Sequence, residues 1–345
     1  MPVLYVTEPG ATVRLSGESF IVTVEEHADD GHGAGKRRTV MEVESHRLEV
    51  IVLVGMAHVT STAMLFCLEH GIGVSWLTRG GEFLGRVVPP IPHSADLRLL
   101  QYETVSEPQE RLARAKGVVE AKLSNAVEVL RDIQSNDTGN EALSAAMAEL
   151  KRIVVQVRAS TMTTSLLGLE GIGARTYFAA FGKAFKGEIS FSSRKHRPPP
   201  DPANALLSFG YVLLGNRVAG HLEARGLDPY LGFFHELRPG RPSLAVDLLE
   251  ELRHPVVDRF VLRGCNLRIF RAELFEQPDE DRGVRLTREG LKVFFEHWET
   301  HLLKPMREQG VEGKVSTIDL VHRQVDRLAA SLRGTRQYTS FLYGG

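Results

Sequence analysis

The sequence changes its periodicity once, at a proline-rich segment, and this change constrains the fold more than any other feature. Short β-prone runs separated by turn-forming residues fill the chain up to residue 88. Pro89-Pro90-Ile91-Pro92 then ends any regular element, because proline lacks a backbone donor and fixes φ. From Leu97 onward apolar residues recur three and four positions apart, which is typical of helices. We therefore predict an α+β protein with a β-rich N-terminal domain (1–88), a Pro-rich linker (89–96) and an all-α domain (97–345).

The two periods also predict individual elements. The predicted strands are Val3–Val6, Ser19–Val24, Leu48–Val54, Val74–Leu77 and Phe83–Val88. The predicted helices are Arg111–Asp132, Glu141–Val157, Leu166–Phe185, Asn204–Ala224, Ser243–Arg253, Leu286–Leu303 and Val315–Leu332. His254-Pro255 is expected to close the helix that begins at Ser243, because proline disfavours a helical residue before it.

Charge and composition restrict the class of protein only loosely. Lys and Arg number 42 and Asp and Glu 43, so the net charge favours no partner. The basic residues are unevenly distributed, however, since residues 151–200 hold nine Lys or Arg and two Glu. Such a block fits a phosphate-rich ligand, although a solvated helix face produces one as well. Two distant cysteines, no signal peptide and no apolar run of membrane length predict a cytoplasmic protein without membrane attachment.

Several common catalytic and nucleotide-binding motifs are absent from the sequence. Gly71-Ile72-Gly73 and Gly171-Ile172-Gly173 begin like a dinucleotide fingerprint, but neither has the third glycine. The chain contains no phosphate-loop lysine motif, no His-Glu-x-x-His, no paired Cys-x-x-Cys and no Gly-x-Ser-x-Gly. Rossmann-type, zincin and α/β-hydrolase chemistry are therefore disfavoured.

Three polar features occur where apolar residues surround them. Glu170 follows four residues rich in leucine and precedes small and aromatic residues, so a carboxylate there must be paired, protonated or bound to a metal. His235 directly follows Phe233 and Phe234 and is either a satisfied core histidine or a metal ligand. Asp247 and Glu250 share one helix face and repel each other unless a cation lies between them, although a solvated acidic face is the alternative.

Together these residues predict a mixed oxygen and nitrogen site that suits Mg²⁺ or Mn²⁺ better than structural zinc. Arginines lie between His235 and the carboxylate helix, and basic residues follow the block that contains Glu170. A cation held by acids and surrounded by arginine is what phosphodiester chemistry requires. The predicted DNA-binding residues are Arg238, Arg241, Arg194, Arg197 and Lys183.

These motifs in combination resemble the CRISPR-associated protein 1 family, the endonuclease and integrase of spacer acquisition. The segments that carry the resemblance are Leu169–Phe178, Arg197–Tyr211, His235, Arg241–Arg253 and Gln324–Leu328. Leu4–Val6 and Gly81–Gly85 are similar to members from type I systems.

The resemblance implies a dimerising β-rich N-terminal domain and a helical catalytic domain. It places metal ligands at Glu170, His235 and Glu250, and a further catalytic acid at Asp247 whose direct contact with the ion is open. It also implies double-stranded spacer precursors and repeat DNA as substrates. Two homodimers would flank one dimer of the small CRISPR-associated protein 2 in a heterohexameric complex.

The expected function is therefore a metal-dependent endonuclease and integrase that inserts spacers into a repeat array by transesterification. Two alternatives stay open at this point. The first is a hydrolytic metallonuclease that acts on branched DNA, and the second is a non-catalytic architectural subunit that binds DNA.

Overall fold

The computed structural model describes residues 3–26, 36–87, 95–135, 140–195, 198–276 and 283–345. The chain forms two compact units, one of Met1–Ile91 with Leu286–Glu299 and the other of Pro92–Arg285 with Thr300–Gly345. The predicted linker falls largely outside the described residues, which resume at Ala95. A β-rich N-terminal region followed by helices confirms the predicted fold class.

The first unit contains two four-stranded sheets. Its elements in chain order are β1 (Val3–Val6), β2 (Thr12–Ser16), β3 (Ser19–Glu26), β4 (Lys36–Glu44), β5 (Val50–Val54), β6 (His58–Val59), α1 (Ser61–Glu69), β7 (Gly73–Leu77) and β8 (Phe83–Val87). One sheet has the order β1-β5-β7-β8, with β8 antiparallel to β7 and the other pairs parallel. The other has the order β4-β3-β2-β6. β5 is apolar throughout because it lies between two parallel neighbours and is buried on both faces.

The first unit closes around residues from both sheets and from α1. Phe20, Ile51, Leu53 and Val74 are buried in one apolar cluster. β2 and β3 meet in a two-residue turn whose first residue, Gly17, has φ 58°, a conformation that glycine adopts without steric cost.

One late helix, α9 (Arg288–Leu302), belongs for most of its length to this first unit. The Tyr5 ring stacks on Phe295 with ring centroids 3.8 Å apart, and the Tyr5 hydroxyl donates to Glu299 Oε1 at 2.6 Å. Glu8 pairs with Arg288 and Lys292 on the same helix. This differs from the contiguous division predicted from the sequence, because hydrophobic periodicity identifies a helix but not the surface that it covers.

The second unit is helical. Its elements are α2 (Ala95–Ser106), α3 (Pro108–Ser135), α4 (Glu141–Ala159), α5 (Thr163–Gly182), α6 (Pro202–Ala224), α7 (Ser243–Leu252), a π-helical segment (Arg253–Asp258), α8 (Arg259–Asn266), the short strands β9 (Pro305–Met306) and β10 (Val315–Ser316), and α10 (Thr317–Leu332). α6 begins with Pro202 after Asp201, whose side chain caps Asn204 N at 2.8 Å. Within the described residues, no helix has the length and hydropathy of a membrane span.

α3 is the central helix of this unit and contacts α4, α5 and α7. Its buried stripe includes Val118, Leu123 and Leu130. α5 packs closely on α3 at Gly173, where a β-carbon would overlap the side chain of Leu123. These contacts bring one face each of α3, α5 and α7 together.

The expected end of α7 at His254-Pro255 is wrong. The chain stays helical through the π-helical segment Arg253–Asp258 and continues directly into α8. A wider π turn accommodates Pro255, which has no N–H to give to the helical ladder.

Candidate metal centre

Two carboxylates from different helices meet around one buried ammonium group. Lys122 on α3 contacts Glu170 Oε1 on α5, and its Nζ lies 2.7 Å from Glu250 Oε2 on α7. The exposed fraction of the side chain is 3% for Lys122 and for Glu250, and 22% for Glu170. The predicted acids Glu170 and Glu250 are thus neighbours in space, and Glu170 lies on the solvent side.

His235 completes this group from the loop that precedes α7. Its Nε2 lies 4.0 Å from Glu250 Oε1, and 13% of its side chain is exposed. The imidazole therefore lies beside Glu250, and Glu250 is linked to Glu170 through Lys122. These predicted residues come from positions up to 80 apart in the sequence.

Asp247 has a different environment from the other predicted acids. One of its oxygens accepts Phe233 N at 2.7 Å and Phe234 N at 3.0 Å, and the other accepts His235 N at 3.1 Å. His235 Nδ1 lies 2.6 Å from the same Oδ1. Gly232 permits this arrangement, because a β-carbon there would lie 2.7 Å from Asp247 Oδ2. The carboxylate anchors the loop and orients the histidine ring.

The charge state of Glu250 results from opposing effects. Burial alone would raise the pKa of its carboxyl, but Arg253, Lys122 and His235 outweigh burial and hold the pKa below its ordinary value. Arg253 approaches Glu250 Oε1 at 3.3 Å, with 14% of its side chain exposed. Glu250 is therefore an ionised carboxylate at neutral pH, as a metal ligand must be.

The types of donor atom at this site suit a hard divalent cation, but the side chains do not have the spacing of metal ligands. Among the residues that the structure describes, no three His, Cys, Asp or Glu side chains have the spacing of metal ligands. The Lys122 ammonium lies at the point where the carboxylates converge. Glu250 Oε2 is buried, and the Lys122 Nζ lies 2.7 Å from it. Two carboxylates and an imidazole nitrogen are donor types that suit Mg²⁺ or Mn²⁺.

The predicted DNA-binding residues fall into two groups. Arg238 and Lys183 are exposed and Arg241 is half-buried. Arg194 instead donates to protein acceptors, at 2.7 Å to Lys195 O, 2.9 Å to Asn204 Oδ1 and 3.0 Å to Ser208 Oγ. Arg197 lies outside the described residues. Arg194 therefore holds the segment before α6 in place, whereas the exposed side chains are available to a ligand.

Sequence analysis did not identify Lys122 and Arg253 as site residues, although the sequence around Lys122 could have indicated it. Lys122 stands on the buried stripe of α3, one turn after Val118 and one turn before Ala126. A lysine on an apolar helix face requires a buried acid as partner. Arg253 gives no such signal, since it ends an acidic helix where a basic residue is ordinary.

A buried polar network lies beneath Arg253. The Tyr211 hydroxyl donates to Asp258 Oδ1, and His254 Nδ1 lies 2.7 Å from Asp258 Oδ2. The Arg253 guanidinium stacks 4.5 Å above the Tyr211 ring centroid. The π-helical segment thus fixes Arg253 beside Glu250.

Sequence comparison identifies the family of the chain. The family model described as CRISPR associated protein Cas1 matches residues 4–300. The chain belongs to the Cas1 family. A CRISPR-associated endonuclease Cas1 of Rhodospirillum rubrum is 35% identical over 341 residues, covering 96% of this chain and 95% of the relative.

Solved structures share the Cas1 fold. A casposase bound to an integration product superposes with a TM-score of 0.82 at 22% identity, covering 99% of this chain and 93% of that one. A Cas6-RT-Cas1–Cas2 complex matches with a TM-score of 0.79 at 23% identity, covering 98% of this chain and 36% of that one. At these identities, the likeness establishes the fold.

Proposed function

We propose that this Cas1 protein is a divalent-metal-dependent DNA endonuclease and integrase that inserts short DNA segments into a repeat array. The observation that carries the proposal is the convergence of Glu170 and Glu250 on the buried Lys122 ammonium, with His235 Nε2 4.0 Å from Glu250 Oε1. Membership of the Cas1 family supports it, as does the name endonuclease that its relatives carry.

In this proposal Glu170, His235 and Glu250 hold Mg²⁺ or Mn²⁺, which prefer carboxylate oxygen and accept imidazole. A bound ion of this kind polarises a phosphoryl oxygen and stabilises the charge that develops on it. His235 serves through Nε2, since Asp247 occupies Nδ1. Asp247 is then a positioning residue.

The reaction proceeds by transesterification. A 3′-hydroxyl of the incoming DNA gives up its proton to solvent, attacks a phosphodiester at the repeat boundary and forms the new P–O bond. The bond between that phosphorus and the 3′-oxygen of the target strand breaks, and this oxygen leaves as a hydroxyl after taking up a proton. With water as the nucleophile the same site hydrolyses DNA. Arg253 beside Glu250, and Arg238 and Arg241 on the preceding loop, would offset phosphate charge.

The partners in the proposal are a double-stranded spacer precursor, the repeat DNA, a second copy of the chain and a dimer of CRISPR-associated protein 2. Two solved structures with this fold support them, since one is a casposase bound to an integration product and the other is a Cas1–Cas2 complex. We further propose that residues 1–88 form the homodimer contact and that the complex works in the cytoplasm.

A strand-transfer assay tests the proposal. We expect Glu170→Ala, His235→Ala and Glu250→Ala each to abolish the joined product at limiting Mn²⁺ while circular dichroism stays that of the wild type. Glu149→Ala is the matched control, because Glu149 is a partly exposed acid that pairs with Arg152 on α4. Activity of all three variants within about threefold of wild type would contradict the site, and cleavage without joining would indicate a hydrolytic nuclease.

Dimerisation through the N-terminal region needs a separate measurement. A fragment starting near Leu97 would keep the face of α9 that Tyr5 covers, and so would expose Phe295. Cross-linking of the full-length chain, followed by peptide mapping, avoids this problem. Cross-links confined to the helical unit would contradict the proposed contact.

A further inference from the structure

Lys122 occupies an unusual position for a lysine. Its side chain is 3% exposed, and its ammonium contacts carboxylates from two different helices, Glu170 and Glu250. A buried ammonium is unfavourable unless anions compensate it, and two adjacent buried carboxylates are unfavourable without a cation. The ammonium of Lys122 and the carboxylates of Glu170 and Glu250 therefore stabilise one another.

The charges of Glu170 and Glu250 are matched by two basic groups without any ion. Glu170 and Glu250 carry two negative charges, and Lys122 and Arg253 carry two positive charges within ion-pair distance of them. A divalent cation placed between the carboxylates would meet the Lys122 ammonium at close range. Because like charges at short range repel strongly in a poorly solvated site, the ion and the ammonium exclude each other from this position.

We propose that Lys122 is an internal counter-cation that holds Glu170 and Glu250 close together before the ion arrives and is displaced when the ion binds. This inference rests on the proposed function, since it takes the same carboxylates as ligands. Glu170 provides the direction of exit, because its side chain is 22% exposed whereas Glu250 is enclosed. Arg253 stays, because it stacks on Tyr211 and pairs with Glu250 from the π-helical segment.

Removing the Lys122 ammonium should affect the ion-free and the ion-bound protein in opposite directions. The ion-free protein loses the cation that neutralises two carboxylates, so it becomes less stable. The ion-bound protein gains, because the ion no longer has to displace a paired ammonium. A residue that only supports the fold would lower stability and would leave ion affinity unchanged or lower it as well.

The test uses full-length Lys122→Met, which keeps the length of the side chain and removes its charge. We expect its melting temperature in EDTA to fall below that of the wild type and its affinity for Mn²⁺, measured by calorimetry without DNA, to rise at least tenfold. Lys116→Met is the matched control, because Lys116 lies on the same helix and bonds the carbonyl of Arg158 rather than a carboxylate. Equal or weaker Mn²⁺ binding by folded Lys122→Met overturns the inference.

A second measurement uses the wild-type protein and stands even if Lys122→Met does not fold. Acylation of lysines by an amine-reactive reagent, quantified by peptide mass spectrometry, should increase at Lys122 when Mg²⁺ is added, with Lys116 as the internal reference. Unchanged or reduced modification of Lys122 at saturating Mg²⁺ overturns the displacement.

The two proposals fail in different ways. Mn²⁺ binding that Glu250→Gln abolishes, combined with no gain in Lys122→Met, overturns the role of Lys122 and keeps the metal site. Wild-type protein that binds no Mn²⁺, or binds it equally well after Glu250→Gln, overturns the metal site itself and the displacement with it.

Discussion

Asp247 Oδ1 lies 2.6 Å from His235 Nδ1, and this contact turns the other ring nitrogen, Nε2, toward Glu250. A carboxylate beside Nδ1 accepts a proton carried on that nitrogen, which leaves Nε2 as the nitrogen on the side of Glu250. The same carboxylate accepts the backbone N–H groups of Phe233, Phe234 and His235. One buried side chain thus fixes both the loop and the ring that the loop carries.

Replacing Asp247 by Asn should therefore weaken binding of the proposed ion, because the carboxylate positions the loop and the ring of His235. The amide keeps one acceptor oxygen and places an NH₂ group against backbone donors, so the loop and ring lose their alignment. We expect a loss of Mn²⁺ affinity of about 10- to 100-fold in calorimetry. Asp326→Asn is the control, because Asp326 pairs with Arg225 at 2.8 Å, with 62% of its side chain exposed. Wild-type affinity in Asp247→Asn would show that the ring needs no such partner.

The two arginines that precede α7 should contribute to DNA binding through charge alone. Interactions with phosphate carry little sequence information, so Arg238→Ala with Arg241→Ala should weaken binding of unrelated duplexes to a similar extent. The slope of log K against log salt should fall in magnitude by about 0.9 for each phosphate that the variant no longer neutralises. Arg152→Ala is the control, since 73% of its side chain is exposed on α4 and it pairs with Glu149. An unchanged slope in the double variant would place these arginines away from the DNA backbone.

The strands could be predicted where their apolar pattern is uninterrupted, and they were missed where charged residues interrupt that pattern. The sequence predicts β5 and β7 because burial makes them apolar. β2 and β4 were not predicted, and β4 is a largely exposed strand that contains Arg37, Arg38, Glu42 and Glu44. Pairing with β3 creates this strand, and local composition does not reveal that pairing.

The candidate site was predictable as a set of acids and a histidine, but not as a cluster that contains a buried ammonium. Glu170, His235 and Glu250 could be grouped because each is polar within an apolar segment. Lys122 lies 48 residues before Glu170, and its partner follows only from the packing of α3 against α5 and α7. Arg194 shows the opposite error, because a basic segment does not reveal which of its side chains bond inward.

Three glycines of α5 should respond differently to alanine. A β-carbon at Gly168 or Gly171 would meet open space, whereas one at Gly173 would overlap Leu123. Alanine has the higher helix propensity, so Gly168→Ala and Gly171→Ala should each raise the unfolding free energy by up to about 1 kcal/mol. Gly173→Ala should lower it by about 1–3 kcal/mol, because α5 must move away from α3. Urea denaturation of the three single variants checks both signs, and stabilisation by Gly173→Ala would contradict the close packing.

The stability of the helical unit should depend on pH through His301. Burial lowers the pKa of this histidine to about 4, although a hydrogen bond to the Val256 carbonyl, at 2.9 Å from Nε2, opposes the shift. Nearby Arg259, Lys304 and Arg263 lower the pKa further. Val256 belongs to the π-helical segment that also contains Arg253. His301 therefore helps to position the segment that places Arg253 beside Glu250.

The free energy of unfolding should fall as pH falls, because the unfolded chain binds the proton more readily than the folded chain. Between pH 6.5 and about 4 the unfolded chain protonates this histidine and the folded chain does not, so the stability that is complete above pH 6.5 is lost as pH falls. At 1.36 kcal/mol per pKa unit, the loss between pH 7.5 and pH 5 is about 2 kcal/mol. His301→Gln keeps a donor for the Val256 carbonyl and removes the titration. Urea unfolding of both proteins at several pH values should therefore show their free energies diverging by this amount as pH falls, because all other titrating groups are shared. Parallel curves would mean that His301 takes up its proton equally well in the folded and unfolded chains.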